Sequence, residues 1–180
     1  ALFGTNPIAF AAPRAGKEPL VTDLSLSKVA RGKIMVAAQK GEAIPEGWAL
    51  DPDGKPTTDP KKAMEGTMLP LGDAKGAALV LMVEILAAAL TASNFGYEAS
   101  SFFDAKGGPP RVGQFFLLID PQRFAGPAFA TRLEVLIGAI LGQSGTRLPG
   151  ARRLKLRATS AVEGIKVPAA LLADLRKRAG

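Results

Sequence analysis

Apolar residues in this chain fall into short continuous runs separated by glycine, proline and charged turns, and no segment repeats. Residues 8–12 (IAFAA) and 20–22 read as short buried strands joined by the polar turn PRAGKEP. Ser27 is placed to cap a helix running to about Lys40, with Gly41 as its stop. Val29, Ile34, Val36, Ala37 and Ala38 supply the core face of that helix, while Lys28 and Arg31, three apart, share another. Trp48 to Leu50 reads as a strand, and D-P-D-G after it is turn chemistry. Residues 77–90 are apolar on every side except at Glu84, the pattern of a helix buried inside a layered α/β body. Residues 114–120 (QFFLLID) read as a buried strand, and Pro127 suits the first turn of a helix reaching about Leu141. Residues 151–167 are basic and partly alternating, and Pro168 opens a last amphipathic helix. The expected class is α/β: a mixed sheet flanked by helices.

Charge changes this picture at one end only. The 180 residues carry a net charge of +7, and residues 147–180 hold all of the excess, with nine Lys and Arg against two acids. Residues 1–146 are neutral. A neutral body with a basic end lacks the broad basic face of a nucleic-acid binder and fits a local site for an anionic group. The charge step suggests two parts, 1–146 and 147–180. The longest apolar run falls short of the ~20 residues a membrane span needs, and ALFGTNPIAF lacks the pattern of a signal peptide. There is no cysteine, hence no disulfide framework or thiolate metal site, which is compatible with a cytoplasmic protein. There is also no histidine, which removes the commonest general acid/base and the commonest metal ligand.

The candidate chemistry sits in few places. Gly72-Asp73-Ala74-Lys75-Gly76 opens directly into the apolar helix. It is not a phosphate-binding loop of the G-x-x-x-x-G-K-[ST] type, because the lysine precedes the second glycine and no Ser or Thr follows. Yet glycines allow close backbone approach, a helix N-terminus presents free N–H groups, and Lys75 adds positive charge. Two readings of Lys75 stand at this point, a phosphate or carboxylate contact and a solvated turn lysine. Glu84, alone in an apolar helix, needs a partner such as an arginine or a backbone donor. Asp23 at a strand end reads first as a turn or capping aspartate. Arg147, Arg152 and Arg153 bracket a Pro-Gly turn and suit phosphate or carboxylate groups as well as they suit a solvated surface. Ser100 to Asp104 and Gln114 give polar groups at the edge of a Gly/Pro loop. Asp51-x-Asp53-Gly54 lacks the remaining ligands of a calcium loop and reads as a turn. No metal site is expected. No G-x-G-x-x-G follows a strand, so a Rossmann dinucleotide site is not supported.

Several blocks, taken in order, carry a resemblance. GTNPIAFAAP at 4–13, DLSLSKVARGKI at 23–34, IPEGWALDPDGKPTTDP at 44–60, LPLGDAKGAALVLMVEILAAAL at 69–90 and RLPGARR at 147–153 resemble the type 2 malate/L-lactate dehydrogenase family. That family includes dehydrogenases for malate, lactate, ureidoglycolate and sulfolactate and a reductase of cyclic imino acids. SSFFDAKGGPPRVGQFFLLIDP at 100–121 looks closest to the sulfolactate type.

The resemblance implies NAD or NADP bound on a non-Rossmann α/β fold, a small 2-hydroxy or 2-oxo acid substrate, and a homodimer. It implies cofactor contacts at Lys75, at Asp23-Leu24-Ser25 (where the family has Asp-Met-Ala) and at the turn Gly150-Ala151-Arg152, with Thr5 and Asn6 near the same cleft. Asp23 is also expected to orient the proton-transfer group. In the family that group is a histidine, in a portion ahead of the Gly-Thr-Asn-Pro block. This sequence is therefore expected to be a C-terminal portion without turnover of its own, its basic end packing on the absent part. The alternative expectation is a non-catalytic dinucleotide-binding or assembly module.

Overall fold

The computed structural model describes residues 2–104 and 106–180. It mixes short strands and helices, with helices alone towards the C-terminal end. They are β1 (Ile8–Ala12), β2 (Leu20–Leu24), α1 (Arg31–Lys40), β3 (Ala49–Leu50), β4 (Pro56–Thr57), α2 (Pro60–Glu65), β5 (Thr67–Met68), α3 (Asp73–Glu84), α4 (Ala128–Leu141), α5 (Ala151–Glu163) and α6 (Ala169–Ala179). A π-helical turn, Ile85–Ala89, continues α3, and a 3-10 turn covers Pro121–Arg123. Two compact units are formed, residues 1–10 with 23–120 and residues 11–22 with 121–180. These units do not follow the charge step, since the basic end is one part of the second unit.

The core of the first unit lies between helices and a small sheet. β3 is the centre of a three-stranded antiparallel sheet, with Ala49 opposite Thr57 on β4 and opposite Met68 on β5. Val29, Ile34, Ile44, Ala49 and Ala63 form the buried cluster, closed over by Ala37, Trp48, Met64 and Met68. The D-P-D-G turn works as its chemistry suggests: Asp51 Oδ1 accepts from the Asp53 and Lys55 amides at 3.0 and 2.9 Å. Asp59 caps α2 through the Lys61 amide at 2.8 Å, with Pro60 in the first turn. Gly41 stops α1 in the left-handed region.

Five sequence expectations need correction. Ser27 does not cap α1, which starts at Arg31 behind an uncapped Ala30. Ser27 is buried and donates to the Val29 carbonyl at 2.7 Å, because its backbone is committed to a bridge with Pro70. Val36 faces outward, and only Ile34 of α1 is fully enclosed. β1 is exposed at four of its five positions and is not a buried strand. Residues 151–163, to which the sequence reading gave no element, form a helix.

The last two corrections are the largest. The helix after Gly72 is not enclosed on every side: Gly76, Val80, Glu84 and Ala88, four apart, form a buried stripe, while Leu79, Leu81, Met82 and Ile85 are exposed. Residues 114–120 likewise form no strand among the described residues, and Phe116, Leu117, Leu118 and Ile119 lie open. The sequence carries the signature of burial at both places, and the described residues supply no cover for it.

Candidate functional site

Three sequence-distant segments of the first unit are stitched together by backbone hydrogen bonds. The Leu26 amide donates to the Thr5 carbonyl at 2.8 Å, and the Leu71 amide donates to the Leu26 carbonyl at 2.7 Å. The Lys28 amide adds a bond to the Leu69 carbonyl at 2.8 Å. The Gly-Thr-Asn-Pro block, the stretch that follows Asp23-Leu24-Ser25, and the turn leading into α3 are therefore neighbours. Periodicity does not announce this, because the bonds run along the backbone and leave no residue-type signature.

The turn into α3 depends on two glycines for different reasons. Gly72 adopts φ 64° as the residue before the helix, a left-handed conformation. Gly76 sits one turn in, and a Cβ there would lie 1.6 Å from the Leu71 carbonyl oxygen. No side chain can be inserted without moving the backbone. The consequence is a tight entry into α3 with an exposed first turn. Asp73 in that turn pairs with Lys28 at 3.1 Å. Lys75 is exposed and has no acidic partner among the described residues. Of the two readings of Lys75, an unpaired cation beside a helix N-terminus is the arrangement that can take an anionic group. Sequence reading did not link Lys28 to this turn. Its side chain engages Asp73.

Asn6 is held from below by α3. Its backbone has φ 39°, left-handed, which Asn tolerates better than most residues. Its amide nitrogen donates to Glu84 Oε1 at 2.7 Å. The Gly96 amide donates to both Glu84 oxygens at 3.2 Å. The partner of Glu84 is thus a side-chain amide plus a backbone donor, and not an arginine. Because the carboxylate takes the nitrogen end of the Asn6 amide, Oδ1 must point the other way, where it is buried without a hydrogen-bond partner among the described residues. Glu84 also stands where α3 widens into the π-helical turn, a change of pitch that re-aims the side chains beyond it.

Asp23 and Leu24 are exposed at the end of β2, and Ser25 is half-buried with its Oγ 3.1 Å from Ser27 Oγ. The second unit holds the other predicted turn. Gly150 has φ 77° and precedes α5, the Ala151 amide donates to the Leu148 carbonyl at 3.2 Å, and Arg152 is exposed in the first turn. A surface concavity of this unit, lined by Ala15, Lys17, Ala130, Thr131, Glu134 and Val135, includes none of the predicted site residues. Among the described residues no group of three or more acids is arranged for a metal ion, and no helix is long and apolar enough to cross a membrane.

Known proteins are similar to this chain in sequence and in fold. The family profile described as malate/L-lactate dehydrogenase matches residues 1–176. The chain is 56% identical over 175 residues to a (2R)-3-sulfolactate dehydrogenase (NADP(+)) of Chromohalobacter salexigens, covering 97% of this chain and 52% of that protein. It is 46% identical over 180 residues to a Delta(1)-pyrroline-2-carboxylate/Delta(1)-piperideine-2-carboxylate reductase of Pseudomonas syringae pv. tomato, covering 99% of this chain and 52% of that protein. The crystal structure of delta1-piperideine-2-carboxylate reductase from the same organism superposes with a TM-score of 0.85 at 44% identity, over 95% of this chain and 52% of that one. The sulfolactate dehydrogenase of Methanocaldococcus jannaschii gives a TM-score of 0.75 at 30% identity, over 97% and 51%. The chain spans about half the length of the relatives it matches. With nearly every residue covered by the family profile and by these folds, the chain belongs to the malate/L-lactate dehydrogenase family.

Proposed function

We propose that this chain supplies the cofactor side of an NAD(P)-dependent oxidoreductase acting on a small 2-hydroxy acid or its 2-oxo counterpart. The observation that carries the reading is Lys75: a cation exposed in the first turn of α3, without an acidic partner among the described residues, in a member of this family. A dinucleotide presents the anionic pyrophosphate that such a group takes. The residues fit in a second respect, since Asn6 offers a buried acceptor that lacks a donor among the described residues. Lys75, the Asp23-Leu24-Ser25 segment, Thr5 and Asn6 of the first unit are the residues assigned to hold it; the turn Gly150-Ala151-Arg152 of the second unit is a separate candidate anion contact. When bound, a nicotinamide accepts or gives the hydride at the 2-carbon of the acid.

The chain's own residues have the tasks of binding and orientation. Lys75 neutralises anionic oxygen, Glu84 fixes the orientation of Asn6, and Asp23 orients the proton-transfer group. The family's proton-transfer group is a histidine and none stands in these 180 residues; by that resemblance the group is assigned to polypeptide outside them. NADP is favoured over NAD by the name of the sulfolactate relative and by the basic turn at Arg152, since an arginine suits the 2′-phosphate. The same reading carries a homodimer, a cytoplasmic location, and a basic end that packs on further polypeptide. The exposure of Leu156, Val162, Leu171 and Leu175 on and beside α5 and α6 supports that packing.

Calorimetric titration of the chain with NADH and NADPH, at low and physiological salt, tests the proposal. Saturable binding with a preference for NADPH is expected. A folded sample that binds neither contradicts a cofactor site formed by these residues alone, and leaves the non-catalytic assembly module as the better reading.

A further inference from the structure

Two side chains beside the Thr5 carbonyl are held so that each offers an acceptor and withholds its donor. The Leu26 amide donates to that carbonyl at 2.8 Å, so Asn6 and Ser25 each lie one residue from the same backbone bond. Ser27 has a single hydroxyl proton and gives it to the Val29 carbonyl at 2.7 Å. In the 3.1 Å contact between Ser25 Oγ and Ser27 Oγ, Ser27 is therefore the acceptor and Ser25 the donor. The other acceptor for the Ser25 proton is the Ser27 carbonyl at 3.3 Å, which draws it towards the same residue. Either way the proton is taken up within the chain, and half-buried Ser25 presents only lone pairs beyond it.

Asn6 is fixed in the same sense by a different partner. Glu84 Oε1 takes the Nδ2 end at 2.7 Å, which leaves Oδ1 buried and without a partner among the described residues. Gly4 leaves room on that side, since a Cβ there would meet Oδ1 at 3.8 Å and nothing nearer. A stranded acceptor is a cost that a donor arriving with a ligand removes.

We infer that Ser25 Oγ and Asn6 Oδ1 form a paired acceptor for the primary carboxamide of the nicotinamide, with Ser27 and Glu84 as the positioning residues behind them. The inference rests on the proposed function and names the part of the cofactor that this corner reads. A carboxamide has two ends of nearly equal size, a carbonyl and an NH2 with two hydrogens. A freely turning hydroxyl suits either end and cannot tell them apart. Acceptors fixed by Ser27 and Glu84 can, because the carbonyl end sets lone pairs against lone pairs. Anionic oxygen is rejected on the same ground, so the pyrophosphate is no rival occupant. It is drawn to the exposed Lys75, which follows the turn that the Leu71 amide ties to the Leu26 carbonyl at 2.7 Å. A ribose hydroxyl is the cofactor's other kind of donor, but it turns to suit its neighbour and does not require acceptors fixed in one sense.

Calorimetric titration with two coenzymes tests the pair. One is NADPH. The other is its reduced 3-acetylpyridine analogue, in which a methyl group replaces the NH2 and all else is kept. Wild type should bind NADPH about tenfold more tightly than the analogue, the factor expected when a hydrogen bond is lost and its acceptor stranded. Ser25→Ala should bind NADPH about fivefold more weakly than wild type, and the analogue within about twofold of wild type. Ser25→Thr keeps the hydroxyl and should recover most of the loss. In Glu84→Gln the neutral amide accepts either end of Asn6, so the preference for NADPH should fall by about threefold. A merely structural loss weakens both coenzymes alike, because it does not depend on the NH2, and circular dichroism of each variant checks the fold. Equal binding of the two coenzymes by wild type overturns the inference while leaving the cofactor site standing. So does an equal loss for both in Ser25→Ala, which would set Ser25 against a group they share, such as a ribose hydroxyl. Binding of neither coenzyme by folded wild type overturns the proposed function, and this inference with it.

Discussion

Glu84 and Asn6, 78 residues apart, meet through a 2.7 Å hydrogen bond from the Asn6 amide nitrogen to Glu84 Oε1. The carboxylate is almost fully buried and takes a second donor from the Gly96 backbone. One acid thereby fixes the strained Gly-Thr-Asn-Pro corner and the loop after the π-helical turn. Glu84→Ala leaves both donors without an acceptor in a dry site. The expected cost is about 3 kcal/mol or more, since each stranded buried group costs about 1–3 kcal/mol. Glu84→Gln retains one acceptor and should lose roughly half as much. Urea unfolding of the two variants measures the difference, and equal losses would mean that volume, not hydrogen bonding, is what Glu84 supplies.

The two glycines of the α3 entry should respond unequally to the same methyl group. Gly72→Ala meets no atom within 4 Å and suffers only its left-handed backbone, a cost of about 1–2 kcal/mol. Gly76→Ala drives a Cβ into the Leu71 carbonyl. A backbone clash of this kind belongs to the class of changes that cost more than about 4 kcal/mol. Gly76→Ala should therefore unfold the first unit or displace the turn that carries Lys75, while Gly72→Ala remains folded. Thermal unfolding of both variants gives the ranking.

Lys75→Ala separates binding from stability. The side chain is exposed and has no acidic partner among the described residues. Its removal should change stability by less than about 0.5 kcal/mol. On the proposed function, affinity for NADPH should fall about tenfold, the effect of losing roughly 1.4 kcal/mol from a charge-assisted contact. Lys75→Arg should recover part of it. Titration of the three proteins checks this, and unchanged affinity in Lys75→Ala would remove Lys75 from the site.

What the sequence disclosed follows the range of the interactions involved. The α3 turn was legible because glycine and lysine spacing is local, and α4 because Pro127 marks its start. The family blocks led to the cofactor and to Thr5, Asn6, Asp23 and Lys75 as candidates. That Glu84 holds Asn6 was not legible, since an isolated acid in an apolar helix states that it needs a partner and not which one. The two-residue strands β4 and β5 were missed because they are too short to show a period. α5 was not assigned because Leu154 and Leu156 alternate with Arg153, Lys155 and Arg157, and no residue of this helix is buried to reveal its face. The reading of 114–120 as a buried strand does not hold: the stretch forms no strand and Phe116 to Ile119 lie open, because a continuous apolar run states hydrophobicity and not whether the chain folds over it.

The second unit carries a pH-dependent tie. Arg14 Nε and Nη2 donate to the two oxygens of Glu134 at 2.6 and 2.9 Å, and Lys17 adds a third bond at 2.8 Å. These donors, Arg14 foremost and Lys17 next, hold the Glu134 carboxyl at about 2, against an ordinary value of 4.5. A carboxyl lowered by folding stabilises the folded state in its charged form. The contribution is complete above the unfolded value near 4.5 and is lost as pH falls through about 2. Glu134→Gln has no such carboxyl to titrate. The stability difference between wild type and Glu134→Gln should therefore be constant from pH 7 down to about 5, shrink between about 4.5 and 2, and vanish below. Lys17 is more than half exposed, so its share should weaken with salt, while the Arg14 pair, with Arg14 largely enclosed, should persist. Thermal unfolding of both proteins across that pH range, at low and high salt, gives the profile. A difference that stays flat down to pH 2 would show that the pair is formed equally in the unfolded chain.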